Sequence, residues 1–322
     1  MSFLPCELHC HTCHSDGKFT VKELQSAAKD NALSLIALTD HNTFSGCSEL
    51  DCSVIPSVSG IEWTTYFGHI LVLGAKGFVD WRSALPDNVD EKLDEVKQNG
   101  GVIGIAHPFQ LGSPFCTGGR FEFNIRKWEN VDYIEIFHED FSKDNCENIK
   151  ALEFWSSLLD KGYHIAASYG RDWHSNERKG YFGCTYIDFE GAPTAEKALE
   201  SIRNGRTVAS LGMKLFFEVI KDGKRYKLGE TVPSGECEVN LFCDVYARHQ
   251  DFKSISYDEI RIVTNGSTCV YKANRNETKI SLTLNPNSWY RAELWGTMDG
   301  CVMPLAVTSP IYTGSIENEQ AM

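Results

Sequence analysis

Most of the short apolar runs in the N-terminal part of the chain end on a histidine, an aspartate or a glutamate. The run Leu33–Leu38 is followed by Asp40 and His41, and the run Val102–Ala106 is followed by His107. In α/β folds the carboxyl ends of the strands meet at one face, where binding and catalytic groups are placed. We therefore expect these imidazoles and carboxylates to converge. A convergence this rich is typical of a site for more than one metal ion.

Composition is ordinary for a soluble globular protein. Of the 322 residues, 42% are hydrophobic and 23% are charged. No apolar stretch approaches the about 20 residues of a membrane span, and Met1–Pro5 lacks the basic and then apolar regions of a signal peptide. The 12 cysteines are scattered, and the CxxC formed by Cys10 and Cys13 has no second pair at zinc-finger spacing. We therefore expect a cytoplasmic protein with reduced thiols.

The formal net charge is −13, which disfavours nonspecific binding to long nucleic acid. A small phosphorylated molecule stays compatible with this charge, because bound metal ions reverse the sign of the field locally. We expect a small-molecule phosphorylated substrate, no long nucleic acid and no membrane partner. The sequence leaves the oligomeric state open.

The chain divides by pattern into two parts and a tail. Residues 1–210 alternate short apolar strands with helical segments, as in βα units; Thr20 and Glu23 form the capping box of one such helix. Residues 211–315 alternate apolar and polar positions between Gly, Asn, Asp and Pro turns, which predicts a small all-β sandwich. Residues 316–322 are polar and predict a flexible tail.

Local sequence suggests how several candidate ligands are directed into the site. Residues two apart in a strand point to the same face. His9 and His11 have this spacing, Gly17 permits a tight turn that aims Asp16 inward, and the Glu62 carboxylate can bridge two cations. Asp40, beside His41, is interpreted as a residue that orients a ligand or caps a helix. The predicted ligands are His9, His11, Asp16, His41, Glu62, His107, His138, Asp172 and His174.

Nine ligands are too many for one catalytic zinc, which takes about three protein ligands and a water. They suit two or three divalent ions. Mixed nitrogen and oxygen ligands without a thiolate favour Zn, Mn or Fe.

In their order along residues 5–210, these motifs resemble the PHP (polymerase and histidinol phosphatase) family. The motifs are His9-x-His11 with Ser15-Asp16-Gly17, Thr39-Asp40-His41-Asn42, Gly60-Ile61-Glu62, Ala106-His107-Pro108 and Asp172-x-His174. The stretch Asn204–Thr207 and the later segments Arg291–Glu293 and Thr308–Ile311 resemble the CehA/McbA-like branch. The resemblance implies a distorted (β/α)7 TIM-like barrel, a centre of two or three metals, and hydrolysis of phosphate esters.

The same resemblance implies how the ligands are divided. One metal takes His9, His11, Glu62 and Asp172. A second shares Glu62 and takes His107 and His138, and a third takes Asp16, His41 and His174. Members of this branch often carry Asn near His138, so the second metal either lacks one protein ligand here or takes Glu135.

The resulting hypothesis is a phosphoesterase in which a hydroxide that bridges two metals attacks the phosphorus of a phosphomonoester, nucleotide or similar substrate. Two residues are assigned to catalysis: Arg171, as an alternative to the third metal, holds a nonbridging oxygen, and His69 either hydrogen-bonds the substrate or is structural. One alternative is a metallohydrolase of carbamate or amide-like esters. Another is a noncatalytic metal-dependent binding module.

Overall fold

The structure is a computed structural model that describes residues 2–110, 121–138, 146–176, 183–245, 247–248, 255–273, 277–298 and 300–314. Its α-helices are α1 (Val21–Asp30), α2 (Val89–Gln98), α3 (Cys146–Asp160) and α4 (Ala195–Arg203). Its strands are β1 (Ser2–Cys10), β2 (Leu35–Leu38), β3 (Ser57–Thr65), β4 (Gly68–Leu73), β5 (Val102–Ala106), β6 (Tyr133–His138), β7 (Ala166–Gly170), β8 (Cys184–Phe189), β9 (Thr207–Ser210), β10 (Lys214–Lys221), β11 (Lys224–Tyr226), β12 (Thr231–Val232), β13 (Gly235–Asp244), β14 (Ile255–Thr264), β15 (Ser267–Lys272), β16 (Thr278–Leu284), β17 (Trp289–Met298), β18 (Cys301–Thr308) and β19 (Ile311–Thr313).

The fold is mixed α/β and rich in strands, which confirms the predicted class at this level. The described strands form two sheets. The larger has 15 strands, with the order β12-β19-β17-β18-β9-β8-β1-β2-β3-β4-β5-β6-β7 and with β14 and β15 joined through β17. The smaller has four strands, in the order β11-β10-β13-β16.

Strand direction brings the candidate ligands together. β1, β2 and β3 are parallel neighbours, and so are β5, β6 and β7; β4 lies antiparallel between β3 and β5. Just beyond β7, Trp173 forms an isolated parallel bridge with Cys10 at the end of β1. The carboxyl ends of the first and last strands of this series therefore meet.

Helix α1 shows how local sequence fixes an element. The Thr20 hydroxyl accepts a hydrogen bond from the Glu23 backbone N–H at 3.2 Å, and the Glu23 carboxylate accepts the Thr20 N–H at 2.8 Å. This confirms the predicted capping box. Val21, Leu24 and Ala28 are fully buried, so the helix packs one apolar face on the sheet.

The predicted division at residue 210 falls inside a continuous sheet. β9 ends at Ser210 and pairs antiparallel with both β8 and β18. The boundary between residues 1–210 and 211–315, and the separate sandwich, stay predictions, and residues 316–322 lie outside the described part of the chain. Among the described helices, none has the length and apolar character needed to cross a bilayer.

Candidate metal centre

The predicted ligands all lie on strands, close after strand ends, or in the loop that follows β1. Among them, His9 and His138 belong to β1 and β6 and Glu62 belongs to β3, while His69, which is predicted for catalysis, lies on β4. The others follow the strands that precede them in the chain: His11 and Asp16 follow β1, His41 follows β2, His107 follows β5, and Asp172 and His174 follow β7.

Glu62 lies at the centre of the imidazoles, and its carboxylate is fully buried. Its Oε2 lies 3.3 Å from Nε2 of His9 and 3.5 Å from Nε2 of His11. Its Oε1 lies 2.8 Å from Nδ1 of His69 and 3.2 Å from Nε2 of His107. The two oxygens therefore face different histidines, as a carboxylate shared between two cations requires.

Asp172, which follows β7, contacts histidines from two other parts of the site. Its Oδ1 lies 3.3 Å from Nε2 of His9 and 2.8 Å from Nε2 of His11, while its Oδ2 lies 3.4 Å from Nε2 of His138. Its backbone has a φ of 50°, a left-handed conformation that costs free energy for a residue with a Cβ. The surrounding contacts therefore hold this carboxylate in a conformation that the local chain does not favour.

Asp16, His41 and His174 form a more exposed group. Oδ1 of Asp16 lies 3.0 Å from Nε2 of His174 and 3.4 Å from Nε2 of His41, and 58% of the Asp16 side chain is exposed. Burial alone would raise the pKa of Asp16, but hydrogen bonds from these two histidines hold it well below its usual range. A Cβ at Gly17 would lie 2.5 Å from the His11 carbonyl, so the turn that aims Asp16 inward needs glycine.

Asp40 builds the loop that carries Asp16. Its Oδ1 accepts hydrogen bonds from the Thr12 N–H and the Ser15 hydroxyl, and its Oδ2 accepts one from the Thr12 hydroxyl, each at 2.7 Å. This is the orienting position that the sequence indicated. Sequence reasoning gave no signal for Thr12 and Ser15 as its partners.

Among the described residues, the candidate ligands form overlapping groups, and within each group the ligand atoms all lie within 4.8 Å of one another. They are His9, His11, Glu62 and Asp172; His11, Asp16, His41 and His174; Glu62, His69 and His107; His107, His138 and Asp172; and His9, His107 and Glu135. The first is the set predicted for one metal, and the second adds His11 to the set predicted for the third metal. The set predicted for the second metal is divided between two groups that share His107. The assignment of single ligands to single ions stays a prediction.

The polar atoms at the centre of the first group lie close to one another without forming hydrogen bonds. His9 Nε2, His11 Nε2, Glu62 Oε2 and Asp172 Oδ1 are buried and make no hydrogen bond of normal geometry. Buried polar atoms without partners cost free energy, and a bound cation would remove that cost. Two imidazole nitrogens and two carboxylates are also the ligands that Zn, Mn and Fe accept. The residues present therefore fit a divalent metal ion.

Glu135 contacts this group from behind. Its Oε1 lies 2.9 Å from Nδ1 of His9, and its Oε2 accepts the backbone N–H of His107 at 2.9 Å. A Cβ at Gly170 would lie 2.1 Å from Glu135 Oε1, so the carboxylate occupies space that only glycine leaves open. A carboxylate on the outer nitrogen of a histidine is the usual support of a metal-binding imidazole, because it fixes the tautomer and the ring orientation.

The electrostatics of His9 follow from these neighbours. Burial alone would lower the pKa of His9, but the negative charges of Glu135, Asp172 and Glu62 raise it well above its ordinary value. The pKa values of Glu62 and Asp172 are held well below their ordinary values, because the surrounding histidines outweigh the effect of burial. The imidazole of His9 and the surrounding carboxylates therefore stabilise each other's charged forms.

The two residues assigned to catalysis occupy different positions. His69 lies beside Glu62, and its Nε2 is buried without a hydrogen-bond partner. The Arg171 guanidinium lies 3.8 Å above the ring of Trp173, and the Arg171 backbone N–H donates to Oε1 of Glu7 at 3.1 Å. Burial lowers the pKa of Arg171 to about 10. The role of each residue toward a substrate stays a prediction.

Comparisons with known proteins agree with the motif order. A family model described as the PHP domain matches residues 7–101. An uncharacterised protein of Methanocaldococcus jannaschii is 27% identical over 178 residues, which cover 50% of this chain and 98% of that protein. A 3′,5′-nucleoside bisphosphate phosphatase of Chromobacterium violaceum is 30% identical over 122 residues, which cover 34% of this chain but only 43% of that protein.

A solved structure shows a similar fold over most of the chain. It is a two-domain protein from Bacteroides vulgatus that contains a predicted PHP-like metal-dependent phosphoesterase. The likeness covers 95% of each chain with a TM-score of 0.53 and 14% identity, so it bears on the fold alone. Assignment to the CehA/McbA-like branch stays a prediction. Residues 7–101 match the PHP domain, which agrees with the resemblance predicted from the order of the motifs.

Proposed function

We propose that this protein is a metal-dependent phosphoesterase that hydrolyses a small phosphorylated substrate, such as a phosphomonoester or a nucleotide. The observation that carries the proposal is the set of buried, unpartnered ligand atoms on His9, His11, Glu62 and Asp172. The activity for which the Chromobacterium relative is named, that of a 3′,5′-nucleoside bisphosphate phosphatase, supports the same reaction class.

The proposed fold is a distorted (β/α)7 TIM-like barrel followed by an all-β sandwich. Strands β1 to β7 lie side by side in chain order, and the bridge between Cys10 and Trp173 brings the last of them back to the first. The antiparallel position of β4 is the distortion. In this arrangement the ligands lie at the carboxyl-end face, where barrel enzymes build their sites.

The proposed cofactors are two or three divalent ions, with Zn, Mn and Fe as candidates. His9, His11, Glu62 and Asp172 would hold one, and Asp16, His41 and His174 another. Ions bound there would activate a water for attack on phosphorus and neutralise charge on the phosphoryl oxygens. Because the net charge of the chain is −13, these cations also supply the local positive field that an anionic substrate needs.

The protein's own groups have separate tasks in this proposal. Glu62 holds His9 and His11 on one oxygen and His69 and His107 on the other, which fixes the distance between neighbouring sites. The Nε2 atom of His69 is buried and makes no hydrogen bond within the described residues. We assign His69 to hydrogen bonding with the substrate.

The test combines metal analysis with turnover. Protein purified without chelators is analysed for metal content and assayed for p-nitrophenyl phosphate hydrolysis with and without chelator. Glu62→Gln is compared with Glu129→Gln, which changes an exposed carboxylate outside the cluster. We expect two or three equivalents of metal and chelator-sensitive turnover in the wild type and in Glu129→Gln, and loss of both in Glu62→Gln.

Other outcomes distinguish the alternatives. Metal at full content without phosphate turnover, but with hydrolysis of a carbamate or amide-like ester, would move the assignment to that reaction. Metal with neither activity would favour a noncatalytic binding module. One equivalent of metal or none in the wild type would remove the multinuclear centre from the proposal.

A further inference from the structure

Strand β7, which leads into Asp172 and His174, forms backbone hydrogen bonds with a neighbouring described strand along one edge only. Among the described strands, β7 pairs through its backbone with β6 alone. The other edge faces β8 and β9, whose own backbone hydrogen bonds join them to each other. Buried backbone groups need partners, so the N–H and C=O groups on this edge of β7 must find them elsewhere.

Two hydroxyls provide the partners at Ala167. The Ala167 N–H donates to Ser309 Oγ at 2.9 Å, and the Ala167 carbonyl accepts from Thr207 Oγ1 at 2.6 Å. The two hydroxyls are themselves 2.8 Å apart, and both side chains are buried. Ser309 Oγ–H can donate to Thr207 Oγ1, so one closed ring of hydrogen bonds replaces a backbone ladder at this position.

A third hydroxyl repeats the arrangement two residues further on. Thr185 Oγ1 accepts the Tyr169 N–H at 2.9 Å and donates to the Tyr169 carbonyl at 3.1 Å. The Thr185 side chain is fully buried. Every second residue of a strand directs its backbone N–H and C=O groups to the same edge. Ala167 and Tyr169 therefore belong to the same row of backbone groups.

The row continues into the metal centre. The next backbone N–H, that of Arg171, donates to the Glu7 carboxylate at 3.1 Å. At Trp173 the row reaches β1, since the Trp173 N–H donates to the His9 carbonyl and the Trp173 carbonyl accepts the His11 N–H, each at 3.0 Å. Asp172 lies between Arg171 and Trp173 in the chain. Its position therefore depends on the hydrogen bonds that fix the backbone of these two residues.

We propose that the hydroxyl seam, defined as Thr185, Thr207 and Ser309, positions Asp172 and His174 for metal binding. Ser309 belongs to the segment predicted to follow the PHP-like part, so the C-terminal strands support the metal centre rather than merely accompany it. These three are positioning residues, because their contacts in the row are to the backbone of β7. The inference rests on the proposed metal centre.

The test uses Co²⁺ alone as the probe, because its visible absorption spectrum reports the geometry of its ligands. Metal-free protein is titrated with Co²⁺ as the wild type and as the double variant Thr207→Val/Ser309→Ala. Thr207→Ser keeps the hydroxyl and serves as the conservative rescue. Thr313→Val is the matched control, because Thr313 is a buried hydroxyl that bonds to the backbone of Asn285 and Ser288, away from β7.

We expect the double variant to bind Co²⁺ about 10- to 100-fold more weakly, with an altered spectrum, as happens when support behind a metal ligand is removed. Thr207→Ser, made in the wild-type protein, keeps the hydroxyl and should give the wild-type Co²⁺ spectrum. Thr313→Val should lower the unfolding temperature of the metal-free protein and leave Co²⁺ affinity and spectrum unchanged. This difference between the variants separates positioning from general stability.

Wild-type affinity and spectrum in the folded double variant would overturn the inference while leaving the proposed function intact. Absence of Co²⁺ binding by the wild type would instead remove the proposed centre, and the inference with it. If circular dichroism shows the double variant to be unfolded, Ser309→Ala decides the question, since it removes the acceptor for the Ala167 N–H and the bond to Thr207 but keeps the Thr207 bond to the Ala167 carbonyl. Unchanged Co²⁺ binding in Ser309→Ala would then overturn the inference.

Discussion

Oε1 of Glu135 lies 2.9 Å from Nδ1 of His9, on the side of the imidazole opposite the nitrogen that faces Glu62 and Asp172. If Nδ1 carries the proton and donates it to Glu135, then Nε2 keeps its lone pair for a cation. The same carboxylate holds the backbone of His107. One residue behind the cluster thus fixes two candidate ligands from different strands.

Removing Glu135 should therefore weaken the site without removing a ligand. We expect Glu135→Ala to lower the affinity for Co²⁺ or Zn²⁺ by about 10- to 100-fold, the usual effect of losing such a support. Competition with a coloured chelator measures this affinity. Glu129→Gln, on an exposed glutamate, should bind metal like the wild type. A folded Glu135→Ala protein with unchanged affinity would contradict the role assigned to Glu135.

Gly170→Ala should act on the same carboxylate by crowding it. The added Cβ would lie 2.1 Å from Glu135 Oε1, so Glu135 must move away from His9. Overpacking of this kind costs about 1–3 kcal/mol of unfolding free energy. Gly104→Ala is a matched control, because its Cβ would lie 2.0 Å from the ring of Tyr133. Chemical denaturation and metal titration should show both variants destabilised and Gly170→Ala weaker in metal binding. Equal metal affinity in the two would contradict the prediction.

Asp40→Asn should affect the exposed group selectively. Asp40 accepts hydrogen bonds from Thr12 and Ser15 and so holds the loop that carries Asp16. An amide cannot accept at both of its ends, so the loop should loosen and the ion held by Asp16 should be lost. Elemental analysis should show about one equivalent less than in the wild type.

The control for this variant lies in the same loop. His14 contacts Ser45 and Glu49 at the surface, so His14→Gln should keep the full metal content. Full metal content in Asp40→Asn as well would show that the loop holds Asp16 without this carboxylate.

His164 should make the stability of the protein sensitive to acid. Its ring stacks on Tyr312 with centroids 3.5 Å apart, and burial lowers its pKa from the ordinary 6.5. Because the folded form binds the proton less readily than the unfolded chain, this contribution to stability is present above pH 6.5 and is lost as the pH falls toward the lower folded pKa.

Denaturation of metal-free protein at about pH 7.5 and about pH 5.5, on either side of the ordinary histidine pKa, measures the effect. We expect His164→Phe to lose less stability on acidification than the wild type. His14→Gln serves again as a surface control and should behave like the wild type. The same pH dependence in His164→Phe and the wild type would exclude His164 as the source.

The convergence of ligands could be predicted because short apolar runs indicate where strands end. His9 ends up in β1 and His11 lies two residues further on, just after the strand. His107 directly follows an apolar run and His41 comes three residues after one, so chain order and the geometry of parallel strands suffice. The capping box of Thr20 and Glu23 was equally local. These features depend on residues close together in the chain.

The support behind the ligands could not be predicted in the same way. From sequence, Glu135 is an alternative ligand. Its position behind His9 depends on Gly170 of the neighbouring strand β7, and the local pattern does not show which carboxylate Gly170 makes room for. The sequence indicates His69 as either a substrate contact or a structural histidine, but its contact with Glu62 needs the register of β3 against β4. Such contacts are set by tertiary pairing rather than by local pattern.

The contact between Ala167 and Ser309 joins positions 142 residues apart. During synthesis, the chain through His174 leaves the ribosome long before Ser309 does, although domains begin to fold as they emerge. Every predicted ligand is therefore made before the last hydroxyl that closes the edge of β7. If that hydroxyl sets the final place of Asp172, the metal-binding geometry is complete only after the chain as far as Ser309 has been made and has folded onto β7.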